Sequence, residues 1–370
     1  MDLYSHYSGK LGLICFAIWV VMLIRGRRTF NGTSSQSNNY WFVFICMLLY
    51  SVLGFLEWDS YHYYSLYNEV KSTGQRVHYE QVFVWLINTL PNSYFLFRFA
   101  VWGLASLLII LSFKRLKLNA NVLAMTIPIL FIANLTQTRG SLGLALITYC
   151  IVLLIQSVER KKLWPIMIAI VGLFASTFLH RSLFFLLVIF IVSILVPMNK
   201  RTFIISLVLF PVLYGFVFSY FKDFSSVEYL NSDQINVLTV YQGKTHQAAN
   251  INGLIYIVFT KTMLLLLVFN MVKKYLYKKI ETPKTVMSLF KCAYFFVYIS
   301  FLFLRNDASN WLSERTLHAG SFALIICVTY CFDAKLINSK RTIIEKAILL
   351  GFMATSFWRQ FLFRRNYWNY

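Results

Sequence analysis

The sequence predicts an all-α, polytopic integral membrane protein with about twelve transmembrane helices, which form a single domain over residues 1–370. Only 13% of the residues are charged and 58% are hydrophobic, whereas soluble domains carry about 25% charged residues. Roughly 20 apolar residues cross a hydrocarbon core of about 30 Å, and segments of this kind succeed one another along the chain. Basic residues gather in alternate connections, as expected of loops that stay in the cytoplasm.

Polar or charged residues bound the apolar segments, and most connections between them are short. We predict spans at 5–24, 40–56, 94–113, 120–137, 141–157, 163–179, 182–197, 202–221, 252–270, 286–304, 316–332 and 343–358. This order places the N-terminus outside. The arginines of segment 359–365 follow the last span and do not fit the alternation, so the side of the C-terminus stays open.

The net charge of +21 first suggests a nucleic-acid partner. However, 20 of the 35 lysines and arginines lie in the six loops that follow spans 1, 3, 5, 7, 9 and 11. That is the positive-inside pattern of a multi-pass protein. We therefore expect membrane lipids and no nucleic acid among the partners.

Two longer stretches are predicted on the outer side, at 57–93 and 222–251. The part of the first stretch from Glu80 to Leu90 is amphipathic and is followed by Pro91. This pattern predicts a short helix that lies along the membrane surface. The second stretch is polar and is expected to be mostly irregular.

Isolated cations fall at the predicted outer ends of the spans, where the positive-inside pattern does not explain them. An arginine near the centre of a bilayer costs about 2.5–3.5 kcal/mol, and such residues usually face the bundle interior. A guanidinium group can donate two parallel hydrogen bonds to phosphate oxygens. The alternative is that these side chains are interfacial anchors that snorkel to water. We expect an anion-binding cavity that opens outward and is lined by Arg98, Arg139, His180, Arg181, Arg305, Arg315 and His318.

Three of these cations lie at turns of tight hairpins. Residues 163–197 contain two spans with His180 and Arg181 between them, and 120–157 contain two spans around Arg139. About 17 residues remain for each span, which is the lower limit for crossing, so these side chains are expected below the outer surface. His180 has a free pKa near neutrality and could accept a proton from a sugar hydroxyl; the alternative is a hydrogen-bonded core histidine.

The outer stretch from Glu57 to Tyr67 combines carboxylates with aromatic rings, notably Asp59, Tyr61 and Tyr64. Sugar rings stack on aromatic faces, and carboxylates accept hydrogen bonds from hydroxyls or act as a base. The alternative is an aromatic belt at the membrane interface, which needs no ligand.

Several motifs are absent from the sequence. It has no GxxxxGK[ST] loop, no HExxH and no Gly-rich dinucleotide fingerprint. Its six cysteines form no CxxC pair and are expected to be buried thiols. No cofactor and no metal site is predicted. The lack of a run of intramembrane acids also disfavours an ion-coupled transporter.

At these residues the chain resembles the EpsG-like, Wzy-type polysaccharide polymerases of bacteria. Their Asp-x-Tyr stretch and the acidic residue that opens an amphipathic helix are similar to Asp59-Ser60-Tyr61 and Glu80. Their Arg-Gln-x-x-Ala helix start is similar to the segment from Thr138 to Ala145, with Gly140 in place of Gln. Ala175 to Leu183 matches their small-residue, His, Ser pattern, with Arg181 added. Arg315 resembles a later arginine of the family.

The resemblance implies a metal-independent glycosyl transfer on the outer face of the bacterial inner membrane. The donor would be a glycan on undecaprenyl pyrophosphate, and the acceptor would be one lipid-linked repeat unit of an O-antigen or related polysaccharide. Flippase and chain-length regulator proteins are further candidate partners. The catalytic residues would be His180, Asp59, Arg139 and Arg315. The substrate-binding residues would be Arg98, Arg181, Arg305, Glu57, Tyr61, Tyr64, Glu80 and His318.

Two other classes stay open from the sequence. An O-antigen ligase or a membrane O-acyltransferase can also place His and Arg within membrane spans. A flippase for lipid-linked sugars is a third reading, although no internal repeat is evident and the isolated cations gather on one side.

Overall fold

A computed structural model describes residues 17–18, 20–21, 24, 39–51, 58–74, 81–90, 93–123, 138–179, 182–196, 200–222, 284–302, 320, 323, 326–330, 344–348 and 350–351. Regular structure in these residues is entirely helical, without strands. The longer helices are α1 (Tyr40–Ser51), α2 (Trp58–Thr73), α3 (Gln81–Thr89), α4 (Tyr94–Arg115), α5 (Thr138–Glu159), α6 (Leu163–Leu179), α7 (Ser182–Leu195), α8 (Lys200–Lys222) and α9 (Lys284–Leu302).

The all-α prediction is confirmed for the described part of the chain. Two of its helices, Tyr94–Arg115 and Gly140–Glu159, are long and apolar enough to cross a membrane. Shorter apolar helices cover Tyr40–Leu49, Leu163–Leu179, Ile204–Phe216 and Val286–Leu302. Each coincides with a predicted span, while the total of twelve stays a prediction. Of the second predicted outer stretch, residues 223–251 lie outside the described residues.

The helices α6 and α8 turn large apolar side chains outward, with Trp164 of α6 75% exposed. Soluble monomers rarely expose continuous apolar surfaces of this size. The outward side chains are Leu163, Trp164, Met167, Ile168, Ile170, Val171, Phe174 and Phe178 on α6, and Ile204, Ile205, Val208, Leu209, Val212, Leu213 and Phe216 on α8. Faces of this kind are suited to lipid and indicate a membrane protein.

The helices α4 and α5 lie side by side and run in the same direction. The amide of Gln156, near the end of α5, donates to the carbonyl of Arg115 at the end of α4 (3.0 Å). The Arg115 guanidinium also lies over the ring of Tyr149, 5.5 Å from its centroid. Two parallel neighbours require the intervening chain to return across the bundle, as the predicted span 120–137 does. Its start is described: the Asn119 side chain caps the backbone N–H of Asn121 (2.9 Å), and residues 120–123 are helical.

Other neighbours also follow the predicted alternation. The Tyr40 hydroxyl at the start of α1 donates to the Leu118 carbonyl just after α4 (2.6 Å), so α1 and α4 are antiparallel. In contrast, α8 and α9 are parallel, because Ser206 bonds both Tyr294 (2.5 Å) and Tyr298 (2.6 Å) and ring contacts advance together along both helices. The described contacts therefore agree with the alternating directions that the basic loops predict.

Two basic loops end their helices in the same way. Lys117 and Lys161 both adopt φ of 54°. In each loop the next residue donates its N–H to a carbonyl five residues earlier, from Leu118 to Phe113 and from Lys162 to Ser157. This is the Schellman ending, in which glycine usually occupies the left-handed position. We call the end of the bundle that carries these two loops the basic end.

The predicted outer stretch 57–93 contains two helices rather than one. The amphipathic helix predicted from Glu80 to Leu90 is present as α3. The preceding helix, α2, was not predicted. It buries Leu66, Tyr67 and Val70 on one face and ends at Gly74, whose φ of 70° and N–H bond to the Val70 carbonyl form a left-handed cap.

Four of the six cysteines are described, and the expectation of buried thiols is confirmed for them. Cys46, Cys150, Cys292 and Cys327 are buried and free of disulfides. Cys15 and Cys331 lie outside the described residues.

Candidate functional site

The end of the bundle opposite the basic end carries the helix positions of two predicted cations, Arg98 and Arg139. Arg98 precedes Arg115 by 17 residues on α4, and Arg139 precedes Gln156 by 17 residues on α5. Because Gln156 bonds to Arg115 and the helices are parallel, Arg98 and Arg139 lie at the same level, about 25 Å from the basic end at 1.5 Å per residue. We call this level of the bundle the arginine end.

The same end receives the junction between α6 and α7. Gly143, one turn after Arg139, lies so close to this junction that an added Cβ would overlap the Leu183 side chain and lie 3.5 Å from the Ser176 carbonyl. The helix α6 ends at Leu179 and α7 begins at Ser182. Small residues allow such close approach between membrane helices. Glycine at this position therefore brings the first turn of α5 against the two helix ends that flank His180 and Arg181.

Arg98 is buried within the described bundle, with 1% of its surface exposed. Its Nη1 donates to the hydroxyl of Tyr94, four residues earlier and on the same face of α4 (3.4 Å). The start of α4 is fixed by Ser93, whose side chain accepts from the backbone N–H of Leu96 (3.4 Å). In the described part of the chain Arg98 therefore packs beside the Tyr94 side chain, while the cavity that opens outward stays a prediction.

Further aromatic side chains from the segment 57–93 contact Tyr94. Tyr64 of α2 meets Tyr94 edge-on at 5.4 Å, and Tyr67 meets Tyr94 at 5.5 Å. Phe83 of α3 and Phe97 of α4 continue the cluster at 6.5 Å. Burial raises the pKa of the Tyr67 phenol, and a backbone hydrogen bond from Ser93 partly opposes that rise. The phenol is thus neutral at physiological pH.

Polar contacts hold α2 and α3 together as a hairpin over the arginine end. The Lys71 ammonium donates to the Leu90 carbonyl at the end of α3 (2.9 Å), and the Asn88 amide donates to the Gly74 carbonyl (3.1 Å). The helix α3 also contacts α6. The hairpin therefore bridges the helix of Arg98 and the helix that ends before His180.

A stripe of buried side chains begins at Arg98 and continues along α4. Arg98, Trp102 and Ser106 recur every four residues and are each at most 1% exposed. A four-residue repeat places side chains on one helix face. Polar groups inside a membrane bundle commonly mark a substrate path or an interhelical contact, and this stripe leads from the arginine end toward the middle of α4.

The predicted site residues fall into three groups. The side chains of Arg98 and Tyr64 are described, and they meet through Tyr94. Asp59 and Tyr61 lie in the first turns of α2 and Arg139 in the first turn of α5, while their side chains lie outside the described part. Outside the described residues altogether are Glu57, Glu80, His180, Arg181, Arg305, Arg315 and His318.

Two contributors to this arrangement were not among the predicted site residues. Tyr94 bonds Arg98, and its four-residue spacing from Arg98 on one helix was the available signal. Trp102 could not be predicted as a site residue, because a tryptophan in an apolar helix is usually a core residue.

Among the described residues, no three His, Cys, Asp or Glu side chains are grouped closely enough to hold a metal ion.

Comparison with known proteins identifies the family to which the chain belongs. The model of the EpsG family matches residues 39–370, which is most of the chain. No curated protein and no solved structure matches it. The matched region includes every predicted site residue and all nine of the longer described helices. The chain belongs to the EpsG family.

Proposed function

We propose that this protein is a polysaccharide polymerase that joins lipid-linked oligosaccharide repeat units, of O-antigen or a related glycan, on the outer face of the bacterial inner membrane. Membership of the EpsG family indicates a polysaccharide-polymerase-like function based on glycosyl transfer. The finer proposal is that undecaprenyl pyrophosphate carries both the growing chain and the incoming unit, and that no metal takes part.

The observation that carries this proposal is the placement of Arg98 and Arg139 at one level of two parallel helices. Two arginine positions at one level suit the two phosphates of a lipid diphosphate, since each planar guanidinium group can donate two hydrogen bonds to phosphate oxygens. The basic loops lie at the opposite end and would compete little for the same anion.

The reaction forms one glycosidic bond and breaks one bond to phosphate. A hydroxyl at the non-reducing end of the acceptor attacks the anomeric carbon of the donor. The bond from that carbon to the pyrophosphate oxygen breaks, and undecaprenyl pyrophosphate departs with the electron pair. His180 or Asp59 accepts the hydroxyl proton. The arginines, with Arg315, stabilise the charge that develops on the leaving diphosphate.

The hairpin of α2 and α3, which we call the aromatic hairpin, supplies a surface for the sugars. Tyr64 remains 47% exposed while its edge contacts Tyr94, and Tyr61 lies one turn earlier on α2. An exposed tyrosine ring close to a buried arginine matches a substrate that is a carbohydrate at one end and a diphosphate at the other. Arg181, Arg305, His318, Glu57 and Glu80 are proposed to complete the binding surface.

The direct test is the length distribution of the surface glycan. A strain that lacks the gene is complemented with wild-type protein, Arg139→Ala or Arg315→Ala, and the glycan is resolved on a gel. We expect a ladder with the wild type and a single repeat unit with each variant, at equal protein levels in the membrane. Wild-type ladders from both variants would rule out the arginine site.

The same gel separates the other classes. Loss of an acyltransferase leaves full-length polymer of altered mass, and loss of a ligase leaves full-length polymer on the lipid carrier. Loss of a flippase leaves unpolymerised units on the cytoplasmic side, which side-specific labelling of the lipid-linked unit detects.

A further inference from the structure

A groove of about 690 Å³ lies at the basic end, between α1 and α4. Its floor and walls are largely apolar, and two lysines stand at its basic rim. The lining residues are Tyr40, Trp41, Phe44, Leu107, Ile110, Leu111, Lys114 and Lys117. The groove lies far from the arginine end and takes no part in the function proposed above.

The walls of the groove are held by a direct bond between the two helices. The Tyr40 hydroxyl donates to the Leu118 carbonyl (2.6 Å), which ties the start of α1 to the residue after Lys117. The Schellman ending fixes Lys117 in the left-handed conformation, with its N–H bonded to the Lys114 carbonyl (3.1 Å). Both lysines are exposed and are three positions apart, and both line the same rim of the groove.

The groove is open to the side. Trp41 is 74% exposed and Leu107 is 42% exposed, on the surface where α1 and α4 face outward. Tryptophan is enriched at the boundary between membrane and water. A ligand of this groove would enter from the membrane plane, with its charged part at the lysines and its apolar part toward Leu107.

We propose that this groove binds an anionic diacyl phospholipid of the cytoplasmic leaflet. The phosphodiester lies between Lys114 and Lys117, and the acyl chains lie against Phe44, Leu107 and Leu111. A zwitterionic lipid carries its own quaternary ammonium beside the phosphodiester, which opposes the attraction to two lysines, whereas a free inorganic anion leaves the apolar walls empty. The anionic lipid alone complements both parts of the groove.

The test measures lipid affinity of the purified full chain in detergent by native mass spectrometry and by the shift in its unfolding temperature. The probes are short-chain phosphatidylglycerol, phosphatidylcholine of the same chain length and inorganic phosphate. We expect phosphatidylglycerol to bind tightest, and Lys114→Gln/Lys117→Gln to lose roughly 30-fold in affinity, about fivefold for each lysine.

The matched control is Lys161→Gln/Lys162→Gln. It removes the same charge from the other basic loop, which has the same Schellman ending, and should keep wild-type affinity. A third variant, Leu107→Trp, fills the apolar part and should weaken binding with both lysines in place.

Three results would overturn the proposal. These are equal affinity for phosphatidylcholine, equal loss in the two lysine variants, or a stability shift from inorganic phosphate that matches the lipid.

Discussion

The guanidinium group of Arg98 donates a hydrogen bond to the hydroxyl of Tyr94, one helical turn earlier on α4 and 3.4 Å away. Tyr94 in turn contacts both Tyr64 and Tyr67 of α2. A buried cation at the arginine end is thereby connected to an exposed aromatic ring, over a path that includes two residues predicted from sequence as substrate contacts.

Replacing Arg98 tests this connection. Arg98→Gln should lower polymer formation about 100-fold or more, as expected when a donor to a developing anion is removed. Arg98→Lys keeps the charge without the planar fork and should restore only part of the activity. The measurement is polymer yield per membrane-inserted protein.

The control for this variant is Arg115→Gln. It makes the same change on the same helix at the opposite end, where Arg115 is exposed, and should leave the glycan ladder intact. Equal ladders from the Arg98 and Arg115 variants would contradict a role for Arg98 in binding the diphosphate.

The close approach of α5 and α6 predicts a stability difference between two glycines. A Cβ at Gly172 would overlap the sulfur of Cys150, whereas a Cβ at Gly215 meets nothing within 4 Å. Gly172→Ala should lower the free energy of unfolding by about 1–3 kcal/mol. Gly215→Ala should leave it unchanged or raise it by up to about 1 kcal/mol.

Thermal unfolding in detergent measures both changes. Repeating Gly172→Ala in a Cys150→Ala background removes the sulfur and should recover most of the loss. If the penalty is the same in both backgrounds, contact with Cys150 is not its cause.

The left-handed lysines predict a stabilising substitution. Lys161 has φ of 54°, which costs a residue with a Cβ about 1 kcal/mol relative to glycine. Lys161→Gly should therefore raise the unfolding temperature, while Lys161→Ala removes the same charge without relieving the backbone. If both variants shift the unfolding temperature equally, the effect comes from charge rather than backbone conformation.

A lysine inside α9 caps the end of α7. The Lys291 ammonium donates to the carbonyl of Val196, just after α7 ends (3.1 Å). Cations at a helix C-terminus and charge-assisted hydrogen bonds both stabilise, so Lys291→Met should lower the free energy of unfolding by about 1–2 kcal/mol. The readout is again the unfolding temperature.

The exposed Lys162→Met serves as the comparison and should change the unfolding temperature little. Unfolding of Lys291→Met at the wild-type temperature would show that the cap contributes nothing.

Most of the helical framework was predictable because apolar length sets the spans. The predicted segment 163–179 coincides with α6, and 94–113 agrees with α4 to within two residues at its end. The directions of neighbouring helices also follow from the basic loops, because alternate charge requires alternate crossing.

The helix α2 escaped prediction because its sequence is polar and rich in tyrosine, with a buried face of only a few residues. Its end was nevertheless marked by Gly74, whose positive φ is typical of a helix C-terminus. Two of the predicted site positions, Arg98 and Arg139, lie at one end of the bundle, and the membrane side of that end stays a prediction. The aromatic cluster around Tyr94, which bonds Arg98, was not predictable, because it depends on how α2 and α3 fold back.

The parallel arrangement of α4 and α5 has a consequence for biogenesis. The bonded residues Arg115 and Gln156 are 41 positions apart. At a synthesis rate of about 5–20 residues per second, Gln156 is therefore added roughly 2–8 s after Arg115, and their hydrogen bond cannot form earlier. During that delay α4, which carries Arg98, lacks its contacts with α5. The aromatic hairpin, however, precedes α4 in the chain and has already left the ribosome. The order of translation thus makes α2 and α3 available to pack near Arg98 before synthesis of α4 is complete.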